Sequence, residues 1–172
     1  SRVLIFSPKG IAEREAFLEA AQRRRKHKFH NVTIEHRTGS LGARFKLEEI
    51  LGVLPLDSRL KILILPDSMA TSADQADSQT TAVILQVWDI LSQREGPESV
   101  VIVPQILEHV TGDACMKMGL VDYINSNELA ARMMAVVAES PQVRAVFADI
   151  VSETGCRFCI RELEEYPAAR AL

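Results

Sequence analysis

Lys61-Ile62-Leu63-Ile64-Leu65-Pro66-Asp67-Ser68 decides the fold class. Four consecutive aliphatic residues, stopped at once by proline and small polar residues, read as a strand buried on both faces, the signature of a parallel sheet. Working outward, Val3–Phe6 is a similar run ended by Ser7-Pro8-Lys9-Gly10. Val100–Val103 is another, with Pro104 marking its exit, and Leu120–Ile124 reads as a short final strand. Asn31–His36 alternates weakly and closes at Thr38-Gly39.

Between the strands lie helical patterns. Ile11 to about Lys26 places Ile11, Leu18 and Ala21 on one face with Phe17 beside them, and its acids precede its bases as the helix dipole prefers. Arg44 to Leu54 carries Leu47, Ile50, Leu51 and Leu54. Asp77 to Gln93, with Val83, Ile84, Val87, Trp88 and Leu91, is apolar over much of its circumference and predicts burial on more than one side. Thr111 to Met118 is a short helix stopped by Gly119. Strands alternating with helices predict a Rossmann-like, mostly parallel sheet with helices on both faces. After residue 126 the rhythm changes. Asn127–Glu139 and Pro141–Ser152 predict a helix-turn-helix, and Cys156–Leu163 alternates like a strand of a small C-terminal lobe. The expected organisation is 1–126, 127–152 and 153–172.

Bulk properties narrow the function. With 172 residues, 47% hydrophobic and a formal net charge of -3, the chain is long enough for a substantial core and gives no push toward nucleic acid. No apolar run approaches the ~20 residues of a membrane helix. A start at Ser1 reads as a piece of a longer chain. Three cysteines, Cys115, Cys156 and Cys159, fit a reducing compartment. Cys156-x-x-Cys159 lacks a second pair and reads as small buried residues. The histidines show no metal spacing, and the basic run Arg23–Lys28 reads as a solvated helix end.

Enzyme signatures are absent from the sequence. It has no GxSxG elbow and no P-loop. The turn after Val3–Phe6 is not a dinucleotide fingerprint, and Ser7 stands where a ribose-binding acid would end a second strand, so NAD is not expected. Asp67, at the carboxyl end of the best strand, with Ser68, Asp74 and Asp77 is the candidate ligand site. Its three carboxylates suit a hard cation such as calcium, against the plainer reading of helix capping. Arg37-Thr38-Gly39-Ser40 is the rival, a nucleotide contact.

An ordered set of segments carries a family resemblance: Asn31–Gly39 (NVTIEHRTG), Leu54–Asp57 (LPLD), Lys61–Asp67 (KILILPD), Gln75–Ser78 (QADS), Val121–Leu129 (VDYINSNEL), Met134–Glu139 (MAVVAE) and Gly155–Arg161. Together, over roughly Val3 to Tyr166, the chain resembles the CASTOR/POLLUX ion channels in their cytosolic regulator-of-conductance (RCK, TrkA-like) domain. The resemblance implies a non-enzymatic gating-ring domain under a tetrameric pore, a homo-oligomer covalently linked to that pore, on the soluble side of a membrane. It implies a crossover helix pair in which Leu129, Met133, Val136 and Val137 pack at an interface. It also implies that Val3–Phe6 is the family's second strand, so that the central strand of the sheet is missing.

Overall fold

The computed structural model of the chain describes residues 2–25, 31–56, 60–94 and 100–151. In chain order these form β1 (Arg2–Ser7), α1 (Ile11–Arg25), β2 (Thr33–Thr38), α2 (Arg44–Gly52), β3 (Lys61–Ile64), α3 (Ala73–Ser92), β4 (Val101–Pro104), α4 (His109–Lys117), α5 (Ser126–Glu139) and α6 (Val143–Ile150). The expected C-terminal lobe, with Cys156 and Cys159, lies outside the described residues, as do His27 and His30. The chain divides into two compact units, Ser1–Ser126 and Asn127–Leu172.

The first unit is Rossmann-like: every strand pairing is parallel, and each strand is followed by a helix. The pairings form two ladders rather than one continuous sheet. β1 pairs with β2 from Arg2↔Thr33 to Ser7↔Thr38, and β3 pairs with β4 from Lys61↔Val101 to Ile64↔Pro104. The expected strand over Leu120–Ile124 reduces to one parallel bridge, Gln105↔Ile124, beside β4.

The core lies on one face of the β3–β4 pair. Leu47 and Leu51 from α2, Val83, Ile84, Val87, Ile90 and Leu91 from α3, Ile64, Ile102 and Cys115 pack together there. Ile84 is fully buried, which accords with the unusually apolar circumference of α3. That helix starts four residues earlier than its apolar pattern indicates. Ser72 is its N-cap and accepts the Gln75 amide (3.2 Å), while the Gln75 side chain accepts the Thr71 amide (2.8 Å). This close relative of a capping box frees Asp77 from capping its own helix. α4 ends in a Schellman motif: Gly119, at φ 106°, donates to Met116 and Leu120 donates to Cys115, both at 3.1 Å.

α1 departs from its expected apolar face. Phe17 and Ile11 are exposed, and among the described side chains of the helix the one that is buried is Arg14. In the second unit, no residue of α5 or α6 is buried. Leu129, Met134 and Val136 on α5, and Val146 and Ile150 on α6, are exposed.

Candidate functional site

Open parallel sheets bind ligands beyond the carboxyl ends of their strands. Two clusters occupy that edge here. The first follows β3. Asp67 accepts the Met69 amide on Oδ1 (2.9 Å), and its carbonyl accepts the Ala70 amide (3.1 Å), so the side chain closes a tight turn on itself. Ser68 is exposed beside it, and Asp74 is exposed in the first turn of α3, where its charge suits the dipole.

Asp77 has a different task. Its side chain is 1% exposed, and its two carboxylate oxygens accept the Leu107 and Glu108 amides, each at 2.8 Å. Glu108 is the N-cap of α4 and makes no side-chain cap of its own. Asp77 therefore caps α4 from α3, neutralising amide dipoles that would otherwise be buried without acceptors. Around it, Asn125 Nδ2 reaches the Leu107 carbonyl (3.3 Å) and Gln105 Nε2 reaches Ser126 Oγ (2.8 Å), tying the loop after β4 in place. The expected calcium triad of Asp67, Asp74 and Asp77 is thus not assembled. Among the described residues no group of three or more histidine, cysteine, aspartate or glutamate side chains comes together to hold a metal ion. The physical reason is that both Asp77 oxygens are committed to backbone amides.

The second cluster lies at the ends of β1 and β2. Arg14 reaches across the ladder: Nη1 donates to the Ile5 and Arg37 carbonyls (3.1 Å each) and Nη2 to Thr38 Oγ1 (2.8 Å). Its Nε–H is buried without an acceptor, the side chain is 8% exposed, and no carboxylate pairs with it among the described residues. Gly39 donates to the Ser7 carbonyl (3.2 Å), and a Cβ there would lie 2.7 Å from the Phe6 ring, so a larger residue would require that ring to shift. Arg37 pairs with Glu35, which Arg2 also grips. The Arg2 hydrogen bond, with the charges of Arg2 and Arg37, holds the Glu35 carboxyl below its ordinary range against a smaller opposing effect of desolvation. Arg14 escaped the sequence reading. Its one signal is an arginine in the first turn of a helix, where the dipole disfavours a cation.

A third contact emerged only in the fold. Tyr123 lies so close to Gly112 of α4 that a Cβ there would sit 2.2 Å from the ring, and the Tyr123 hydroxyl is 3.1 Å from His109 Nδ1. His109 Nε2 stands 3.5 Å from Asp113.

Parallel strands, each followed by a helix, with polar loops at their carboxyl ends, define the class: a Rossmann-like α/β domain. No family model matches the chain. Curated relatives do. It is 31% identical over 166 residues to the probable ion channel CASTOR of Oryza sativa subsp. japonica, covering 81% of this chain and 18% of that protein. It is 30% identical over 165 residues to the ion channel CASTOR of Lotus japonicus, covering 81% and 19%. It is 28% identical over 166 residues to the probable ion channel POLLUX of Arabidopsis thaliana, covering 81% and 20%. Over four-fifths of its length the chain is homologous to ion channels of the CASTOR/POLLUX family. It spans about a fifth of the length of these relatives. None of its described helices is long and apolar enough to cross a membrane.

Proposed function

We propose that this chain is a regulatory, RCK-type gating-ring domain of a cation channel, on the soluble side of the membrane, linked covalently to a pore that lies elsewhere in the polypeptide. The observation that carries the reading is the match to ion channels over four-fifths of the chain by a region that contains no spanning helix among its described residues. Such a region serves a channel by biasing its pore rather than by forming it. The helix pair α5–α6 supports the output side. Its apolar side chains, Leu129, Met133, Val136 and Val137 among them, are nowhere buried within the described unit, as expected of helices that pack against another subunit in a tetrameric ring.

The input is a ligand that binds one arrangement of the ring better than another. Calcium is the first to test. Asp67, with Ser68, and Asp74 are the candidate contacts, since Asp77 is committed to the α4 amides. A second reading, an anionic ligand such as a nucleotide at Arg37-Thr38-Gly39, draws on the buried Arg14 cation with no paired carboxylate. A bare assembly scaffold is the reading without any ligand.

Thermal unfolding in EDTA, in millimolar calcium and in magnesium separates these. A ligand that binds only the folded state adds about 2.7 kcal/mol at a hundredfold excess over Kd. The sensor reading expects a calcium-specific rise that disappears in Asp67→Asn/Asp74→Asn, with oligomers by light scattering. A rise with ATP or NAD but not calcium transfers the role to the β2 loop. No shift with either, with oligomers intact, leaves the scaffold.

A further inference from the structure

Among the described residues β2 is paired along one edge, the edge it shares with β1. Gly39 donates to the Ser7 carbonyl, so by the twofold period of a strand Thr33, Glu35 and Arg37 also turn their backbone groups to β1. Ile34, His36 and Thr38 turn theirs the other way, and there they bond to no backbone group of the described residues. An unpaired strand edge of this kind invites another strand.

The side chains of β2 are sorted by face. Arg14 of α1 reaches the Thr38 hydroxyl, which puts Ile34, His36 and Thr38 on the α1 side of the ladder. Glu35 and Arg37 stand on the opposite side, adjacent along that face and opposite in charge, with side chains 25% and 53% exposed. Arg2 takes one Glu35 oxygen and Arg37 the other, and each oxygen keeps a lone pair for a further donor.

We propose that the outer edge of β2 pairs antiparallel with β2 of a second copy of this chain, about a twofold axis through His36. In that register the backbone groups of His36 meet those of its own copy, and those of Ile34 meet Thr38 on either side, so each open group finds a partner. Glu35 and Arg37 of one copy then fall opposite Arg37 and Glu35 of the other, at the non-hydrogen-bonded positions where facing side chains come closest. Charge selects this register over its neighbours. A slip by one side-chain repeat sets Glu35 against Glu35 or Arg37 against Arg37, and parallel pairing in register does both. On the α1 side Ile34 meets Thr38, a pair of β-branched residues suited to a sheet. The contact is isologous, so it closes as a dimer and leaves no edge of β2 to recruit a third chain. It uses neither α5 nor α6 and does not rest on the channel reading.

Mixing charge variants of the 172-residue chain tests it. Glu35→Arg alone, or Arg37→Glu alone, sets like charges opposite one another in its own dimer. One variant paired with the other sets opposite charges together again. By sedimentation equilibrium the unaltered chain should dimerise, each variant alone should associate about tenfold more weakly or worse, and the mixture should recover. In hydrogen exchange the Ile34, His36 and Thr38 amides should slow about tenfold or more from dilute to concentrated protein, whereas assembly through α5 and α6 would leave them fast. His36→Pro removes an outward N–H, costs the ladder with β1 no hydrogen bond, and should also prevent the dimer, so it serves if a charge variant fails to fold. A chain that stays monomeric at every concentration overturns the proposal. So does an oligomer whose Ile34, His36 and Thr38 amides exchange equally at low and high concentration, or one whose charge variants do not recover on mixing. Neither failure alters the calcium-dependent melt by which the channel reading is tested.

Discussion

The two half-sheets are built on the same parallel topology and held together by different physics. The β3–β4 half is closed by aliphatic burial against α2 and α3, with Ile84 and Ile106 fully buried. The β1–β2 half has α1 on it, but α1 turns Phe17 and Ile11 to solvent and grips the ladder with the fork of Arg14. Its outer strand is braced by Arg2, Glu35 and Arg37 at the surface. Apolar burial involves no titrating group and is felt through volume. Charged hydrogen bonds respond to protonation and screening. Two halves of one unit should therefore fail under different stresses.

The largest expected effect comes from Ile84→Ala, which empties the centre of the aliphatic half and costs about 2–5 kcal/mol. Urea unfolding followed at Trp88, on the same helix, measures it. If the loss is matched residue for residue in the exchange of β1 and β2, the halves unfold as one and the contrast collapses. If β1–β2 amides are spared, it sharpens.

Asp77→Ala comes next. It strands the Leu107 and Glu108 amides in a buried place, at a cost of about 1–3 kcal/mol, whereas Asp77→Asn retains one acceptor and loses less. Amide chemical shifts at the start of α4 should move in both variants. Unchanged shifts there would remove the capping role.

Gly112→Ala forces a methyl group into the Tyr123 ring and costs about 1–3 kcal/mol by overpacking. Gly112→Ala/Tyr123→Leu should recover part of the loss, because the clash is with the ring itself. Failure to recover would place the strain elsewhere.

The smallest effect concerns the polar half. Glu35 has a lowered folded pKa, so its pairing stabilises the fold above the ordinary carboxylate pKa and is lost as pH falls through the lowered value. Glu35→Gln should flatten the acid limb of the stability profile slightly and leave the neutral region little changed, since exposed pairs contribute little. The same profile should be unaltered by Ile84→Ala apart from a uniform drop. A change of shape there would mean that the two halves share their titrating groups.

Several features of this architecture are local and so are readable in the chain. The Lys61–Leu65 run, the stripe of α2 and the wide apolar surface of α3 need only periodicity, and each stands where that periodicity puts it to within a few residues. The end of α4 was equally legible, because Gly119 is where a left-handed residue is required. The start of α3 was misplaced because the cap at Ser72 relies on a glutamine reaching back, a weak signal beside the prominent Asp77.

What the chain could not reveal depends on partners far apart in sequence. Asp77 meets amides 30 and 31 residues away, and Arg14 meets carbonyls on two strands at once. A carboxylate in a helix looks the same whether it faces a cation or another helix. Only the packing that brings α4 over α3 decided that its oxygens face amides. By itself the sequence determined the parallel α/β class and the ion-channel kinship, since both are written in ordered local runs. The tertiary structure alone decided that Asp77 serves the amides before α4 and that Arg14 bridges β1 and β2, because each depends on which elements lie side by side, and no single element carries that information.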